Sequence, residues 1–542
     1  GQGHIVRSNE SEEAEEVSGG SQDAGSRRFI MAGLTLGLLL ASLDQTVVGT
    51  SLPKIVGELG GLDRFSWLFS AYMLAATIMI PMAGKMSDRY GRRPVFLFGM
   101  VFFLSGSALS GLAQDMDQLI IFRFIQGFGG GAMFPVAVAT VADLYAPSER
   151  GKMQGGLGAV FALASIVGPF VGGWIVDNID WRWVFYVNLP IGVAAIVVTS
   201  VKFPRVQADL RKPVDYLGIA LLTAALSAGL LITFWGGTTY EWVSIEILSL
   251  GVICILFSVA FIYVEATASD PMLPLSLFRE PVFALSSLSL MVMVMGLLGV
   301  VAFLPLFLQA IIGMSATYSG ELLVPFMLTS MAGAIVSGLM LKKTGYKVWI
   351  LAGPLIAALG LYLLSTLHSE SSAIEAVAYL MVSGLGLGFT MANYLVAGQN
   401  VVSREMMGVA SSTLMLFRTL GGTIGVTVLG VVVNRRFSAE LSGSIPPGWE
   451  SLESQDMSTL GNLLLSAEGA AFPPEVIEGI RAALSESITF AFLVSAFVVL
   501  GAFVVTVFIK NVPLKSVEDR PEGGGPPKEG TALPTDGNVA RE

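Results

Sequence analysis

Apolar residues in this chain run in long blocks, separated by short polar stretches. A window of about 19 residues picks out fourteen blocks: 29–52, 65–84, 95–113, 118–142, 153–176, 183–201, 214–235, 244–264, 282–307, 320–341, 348–367, 375–398, 408–433 and 488–510. At about 1.5 Å per residue, blocks of this length cross a hydrocarbon core of roughly 30 Å, so fourteen membrane-spanning helices are expected. The connections are short except for 434–487. There Leu460, Leu463 and Leu464, then Val476, Ile477, Ile480 and Leu484, recur at helical spacing, which predicts one or two short amphipathic helices lying on the outer face or the membrane interface. Residues 1–28 and 511–542 are polar, rich in Gly and charge, and are expected to be disordered tails. The first apolar block is too long for the core of a cleavable leader and is expected to stay in the mature protein.

Composition narrows the class to an all-α polytopic membrane protein. Across 542 residues, 53% are hydrophobic and 13% charged, against about 25% charged in an ordinary globular domain. The net charge of −10 reflects acids in 10–16 and after Val512, outside the spans. If the N-terminus is cytoplasmic, the inner loops carry fifteen Lys and Arg residues and the outer loops six. That bias satisfies the positive-inside rule and places both termini in the cytoplasm. One cysteine, Cys254, and two histidines, His4 and His368, leave no material for a disulfide, a Cys-based metal site or a histidine relay. No GxxxxGK[ST] loop is present, which argues against an ATP-driven pump. No metal or cofactor is expected, and nothing points to nucleic acid.

The candidate chemistry starts in the first span. Asp44 is its one acid, and a lipid-facing carboxylate at that depth costs about 2.5–3.5 kcal/mol on insertion scales, so it must face protein or water. Counting from the outer ends, Asp44 lies about eight residues, or roughly 12 Å, down span one, and Arg123 about five residues, or roughly 8 Å, down span four. The two are therefore expected to meet directly, through Gln126 or through water. A role restricted to bracing helices remains open for both. Desolvation disfavours the Asp44 carboxylate while Arg123 favours it, and a cavity that opens alternately to each side changes that balance. Glu321, at the outer end of span ten, is a second proton-site candidate or a helix-start acid favoured by the macrodipole. Glu265, at an inner end, is expected to be solvated.

Four motifs accompany these charges. They are Leu43-Asp44-Gln-Thr-Val-Val-Gly49-Thr-Ser-Leu-Pro53 in span one, Gly84-Lys-Met-Ser-Asp88-Arg89-Tyr-Gly91-Arg92-Arg93 between spans two and three, Arg123-Phe-Ile-Gln126-Gly127-Phe-Gly129-Gly130 in span four and Gly168-Pro169-Phe-Val-Gly172-Gly173 in span five, the last followed by Asn188-Leu-Pro190-Ile-Gly192. Together they resemble the major facilitator superfamily, and the GPxxGG element looks like its antiporter signature. With fourteen spans the chain is similar to the drug:proton antiporter branch, the multidrug exporters of the QacA and EmrB type. The resemblance implies two six-helix bundles, 29–203 and 281–510, with an inserted helix pair in 204–280. It also implies proton-coupled export of small hydrophobic or amphiphilic compounds, antibiotics among them, by a monomer in the cell inner (cytoplasmic) membrane. Export or flipping of a lipid on the same fold is the alternative, and a non-transporting receptor or scaffold a more remote one.

By the same resemblance Gly84, Asp88, Arg89, Gly91, Arg92 and Arg93, with Asp143 of the next inner loop, form a cytoplasmic gate between the bundles. The alternative is that the arginines only fix topology. Pro169 removes a helix hydrogen bond and Gly168, Gly172 and Gly173 allow close approach, so this stretch is a hinge or a packing seam. Met291, Met295, Phe303, Asn393 and Tyr394 are candidates, with Gln126, to line an adaptable substrate cavity, a lipid-facing or helix-packing role being the default alternative for each of the five. Arg418, deep in span thirteen, either faces that cavity, binds carbonyls or meets a substrate anion or dipole.

Overall fold

The computed structural model describes residues 24–59, 67–202, 215–237, 239–268, 270–314, 322–446, 449, 452 and 472–514. Among these the chain forms fifteen α-helices and no strand. In order they are α1 (Ala24–Leu59), α2 (Trp67–Tyr90), α3 (Arg92–Gly111), α4 (Met116–Leu144), α5 (Pro147–Asn178), α6 (Trp183–Tyr186), α7 (Asn188–Lys202) and α8 (Tyr216–Trp235). There follow α9 (Ile245–Thr267), α10 (Pro281–Ala310), α11 (Leu323–Thr344), α12 (Lys347–Leu364), α13 (Ala373–Asn400), α14 (Met407–Ser444) and α15 (Pro474–Val507). Thirteen helical stretches are long and apolar enough to cross a membrane, α6 and α7 counting as one, and each overlaps an expected span. The expected span 153–176 lies inside the 32-residue α5.

Apolar side chains build two large cores. Ile30, Leu34, Phe96, Met100, Phe103 and Met133 pack together in the first half, continued by Leu43, Val47, Leu68, Trp181 and Phe185 toward one end. Phe283, Phe307, Tyr346, Phe437 and Phe492 centre the second. By contrast α9 leaves Leu248, Val252, Ile255, Leu256, Val259 and Ile262 exposed, as a helix lying in lipid would.

The two halves repeat one turn. Gly91, at φ 92°, and Gly345, at φ 69°, sit in the left-handed region that glycine alone enters without cost. Two residues beyond each, a cation caps the last helix of its half. Arg93 donates to the Ser200 carbonyl at 2.5 Å, and Lys347 donates to the carbonyls of Thr506 (3.0 Å), Val507 (2.8 Å) and Ile509. Cations at helix C-termini satisfy orphan carbonyls and complement the macrodipole. Between glycine and cation the first half has Arg92, and the second has the buried Tyr346, whose hydroxyl donates to the Lys510 carbonyl (2.7 Å) and accepts from the Val512 N–H (2.8 Å).

Two expectations are corrected. The predicted amphipathic helix around 476–484 does not lie on the surface, because α15 starts at Pro474 and runs unbroken to Val507. Pro at the first helical position favours that start, and Val476, Ile480 and Leu484 are buried in register with the span below. Leu460, Leu463 and Leu464 lie outside the described residues. Glu265, expected in solvent, is only 3% exposed. It accepts the N–H groups of Met272 (3.2 Å) and Leu273 (3.1 Å) and so folds the connector after α9 back on itself. That connector then reaches both halves: Asp270 pairs with Lys85 at 2.6 Å, and Phe278 contacts Phe283 and Phe417, each at 5.8 Å between ring centres.

Glu265→Ala leaves two buried N–H groups unpaired, at about 1–3 kcal/mol each. A lower thermal unfolding midpoint in detergent is the expected outcome; an unchanged midpoint would show that the connector does not depend on this carboxylate.

Candidate functional site

Backbone packing brings the site residues together. The glycines of α4 let it wedge between α2 and α3: a Cβ on Gly127 would lie 2.3 Å from the Tyr72 carbonyl oxygen, and one on Gly129 would lie 2.3 Å from the Phe103 nitrogen. Contacts that short are forbidden, so only glycine permits this approach, and Arg123 and Gln126 on the adjoining turns are pressed toward α1. From the other side Gly168 of α5 abuts Thr46, where an added Cβ would meet Oγ1 at 1.9 Å. The Thr46 hydroxyl donates to the Ala164 carbonyl at 3.1 Å. Asp44 is therefore held two residues from a close helix crossing, where a larger residue at 168 would have to displace the Thr46 side chain.

Around Asp44 the polar atoms close into a network. Arg123 Nη1 lies 2.5 Å from Asp44 Oδ2 and donates to Gln126 Oε1 at 2.7 Å. Gln126 Nε2 donates to Asp44 Oδ1 at 2.8 Å. Asn188, at the start of α7, donates to the same oxygen and to Ser107 Oγ, both at 3.0 Å, and Ser107 donates to the Phe185 carbonyl at 2.9 Å. The Arg123 guanidinium also stands 4.6 Å from the centre of the Tyr72 ring. Asp44 and Arg123 are 1% exposed, Gln126 and Asn188 0%. A carboxylate and a guanidinium are thus removed from bulk water together, each with its charge answered, which is what makes burial tolerable. Sequence reasoning paired Asp44 with Arg123 and Gln126 but gave Asn188 no part. The signal was available: Asn188 lies five residues down span six, the same count that placed Arg123.

A second cluster joins the halves at the arginine-loop end. Arg92 bonds Asp143 through Nε at 2.8 Å, Asp88 through Nη1 at 2.5 Å and Ser87 at 2.7 Å. Asp88 in turn accepts the backbone N–H groups of Gly408 and Val409, both at 2.7 Å. These are the first turn of α14, where unsatisfied N–H groups and the macrodipole favour an anion. Gly84 packs on Ser412 and on the Gly408 carbonyl with no room for a Cβ. Beside them Gln154 donates to Gln399 at 3.0 Å, Lys342 lies 3.5 Å from Glu149, and Gly338 closes on Gly151 and Lys152. Of the predicted gate residues, Gly84, Asp88, Arg92 and Asp143 share this cluster, Gly91 makes its turn and Arg93 caps α7. The Arg89 guanidinium lies 5.5 Å from the Tyr90 ring centre.

The other predicted residues are scattered. α5 stays helical through 168–173; Gly172 is buried, Gly173 faces open space, and the Pro169 side chain lies outside the description, as does Glu321. Met291 and Met295 pack their carbonyl oxygens on Gly421 and Gly425 with half-buried side chains, and Phe303 is half-buried too. Asn393 and Tyr394 do not line an open cavity. Both are fully buried, Asn393 donating to the Phe389 carbonyl at 2.7 Å and Tyr394 bonding Thr506 Oγ1 at 2.6 Å. The reason is periodicity, since core-facing and cavity-facing positions of a span share one helical repeat. Arg418 sits with its guanidinium 5.4 Å from the centre of the Phe134 ring.

The sequence model of the Major Facilitator Superfamily matches residues 34–426. The chain belongs to the major facilitator superfamily. It is a membrane transporter, not an enzyme. Multidrug transporter protein MdtP of Bacillus subtilis (strain 168) is 37% identical over 518 residues, covering 92% of this chain and 96% of the relative. Multidrug resistance protein 3 of the same organism is 34% identical over 497 residues, covering 91% and 97%. Among solved structures, the human organic anion transporter MFSD10 aligns with TM-score 0.58 over 88% of this chain and 100% of that one at 16% identity. The proton:xylose symporter XylE aligns at 0.59 over 92% and 98% at 13% identity. At these identities the likeness shows the major facilitator fold alone.

Truncating one partner of a buried ion pair costs about 3–5 kcal/mol, whereas losing a hydrogen bond to a charged group costs about 1.5–3 kcal/mol. Arg123→Ala should therefore lower the thermal midpoint in detergent more than Asn188→Ala. The reverse order would contradict the network described.

Proposed function

We propose that this transporter is a proton-coupled antiporter that exports hydrophobic or amphiphilic molecules by alternating access. One observation carries the proposal: the single acid of span one is buried against Arg123, with Gln126 and Asn188 completing its hydrogen bonds. The multidrug naming of the two relatives supports the substrate class.

In this account the arginine-loop end is cytoplasmic, as the inner-loop cations favour. The halves 29–203 and 281–510 act as the moving bundles, with 204–280 as the inserted pair. The contacts of Asp88 with Gly408 and Val409, and of Gly151 with Gly338, then close the cytoplasmic side, and the state described faces outward. A proton reaching Asp44 from outside neutralises the carboxylate and leaves the Arg123 charge without its counter-ion. The network must then reorganise, and the α1–α5 crossing at Thr46 and Gly168 transmits the change to the seam between bundles. Inward opening parts Asp88 from α14; release of the proton inside restores the ion pair. Substrate leaves in the outward state and loads in the inward one.

The test uses proteoliposomes with an imposed pH gradient and a fluorescent amphiphile. Asp44→Asn should abolish gradient-driven transport; transport at the wild-type rate would remove Asp44 as the coupling acid. Asp88→Asn weakens a charge-assisted contact present only in the closed state, so turnover should fall about tenfold with membrane insertion unchanged. Loss of insertion instead would reduce the loop to a topology signal.

A further inference from the structure

We propose that Arg418 is a subsite for a negatively charged group of the transported molecule, a carboxylate, sulfonate or phosphate, which makes anionic and zwitterionic amphiphiles substrates of this protein. This rests on the exporter function proposed above and assigns the charge of its cargo.

Position is the first ground. Arg418 lies six residues, about 9 Å, along α14 from Ser412, where Gly84 closes the seam, and ten residues, about 15 Å, from the latch at Gly408. Its guanidinium meets Phe134 of the opposite half, 5.4 Å from the ring centre. Phe134 is itself eleven residues, about 16 Å, along α4 from Arg123 and nine, about 14 Å, from Asp143. Arg418 thus stands near mid-depth, at the junction of the halves, between the layer of closed contacts and the Asp44 network.

Its partners are the second ground. Arg92, Arg123, Arg182 and Arg436 each hold a carboxylate, and Arg93, Arg150 and Arg481 hold backbone carbonyls. The polar contact described for Arg418 is the Met415 sulfur at 4.0 Å, a weak acceptor, and among the described residues no carboxylate lies within ion-pair distance of it. A guanidinium carries five donors and stays protonated under all relevant conditions. The Phe134 face offsets only part of its lost hydration. A leucine would fill the space against Phe134 and Met415 with no charge to solvate. An anion from outside the chain completes the site: the planar fork suits a two-oxygen group, and the aromatic ring beside it offers a platform for the apolar body. The same charge repels a cationic head placed there.

The test compares two fluorescent amphiphiles with one aryl-alkyl body, one ending in a carboxylate and the other in trimethylammonium, in proteoliposomes bearing wild type, Arg418→Lys or Arg418→Gln. Loss of a charged hydrogen-bond partner should lower the anion-to-cation transport ratio about tenfold in Arg418→Gln, with Arg418→Lys between it and wild type. An unchanged ratio in Arg418→Gln, whether both rates hold or both fall, would overturn the subsite; both rates falling together with the thermal midpoint would leave Arg418 as a brace between α14 and α4. Adding 100-fold excess inorganic phosphate should relieve the anion preference in wild type, by competing for the same guanidinium, and leave the ratio in Arg418→Gln unchanged; an equal drop in both proteins would overturn the assignment. If wild type moved neither probe, the exporter function would fail and this inference with it.

Discussion

A carboxylate inside a hydrocarbon layer cannot be left to itself, and much of the first half of this protein is arranged around that constraint. Asp44 accepts from Arg123, Gln126 and Asn188, while Ser107 and the Leu68 carbonyl hold the outer atoms of the same network. Five helices thereby converge on one acid. Because neither member of a buried pair is stable without the other, any step that changes the charge on Asp44 is felt by all five. The glycines of α4 turn that chemical dependence into a mechanical one, since helices in backbone contact have no soft side chain to absorb a shift, and Gly168 of α5 adds a close contact with the Thr46 side chain.

The arginine-loop end works by a weaker version of the same physics. Asp88 is satisfied partly by Arg92 and partly by the N-terminus of α14, so its charge belongs to both halves at once. The internal repeat keeps the left-handed glycine and the capping cation in each half but gives only the first an acid at this place. In the second half Tyr346 makes neutral hydrogen bonds to Lys510 and Val512, in the chain just past α15, and fastens its own half rather than the seam. The buried ion pair and the acid of this contact both lie in the first half, and the second half contributes the backbone N–H groups that Asp88 meets.

Much of this was legible in the sequence because membrane insertion leaves few options. Block length gave the spans, and counting residues from their ends gave the Asp44–Arg123 pairing, since depth is fixed by rise per residue. Asn188 was legible by that same count, five residues down span six. Other features were not legible. Whether Val476, Ile480 and Leu484 lie on a surface or extend a span depends on what packs against them, as one period serves both. Asn393 and Tyr394 were open to the same ambiguity. The meeting of Asp88 with the N–H groups of Gly408 and Val409 leaves no side-chain signature on the α14 side, and Glu265 closing on Met272 and Leu273 is likewise a side chain finding backbone.

The central claim is that the proton and the cargo compete through Asp44. Measuring proton release in weakly buffered detergent solution as a fluorescent amphiphile binds tests it most directly. Wild type should release protons in step with binding and Asp44→Asn should bind without release. Equal release from both proteins, or binding to wild type with none, would contradict the account.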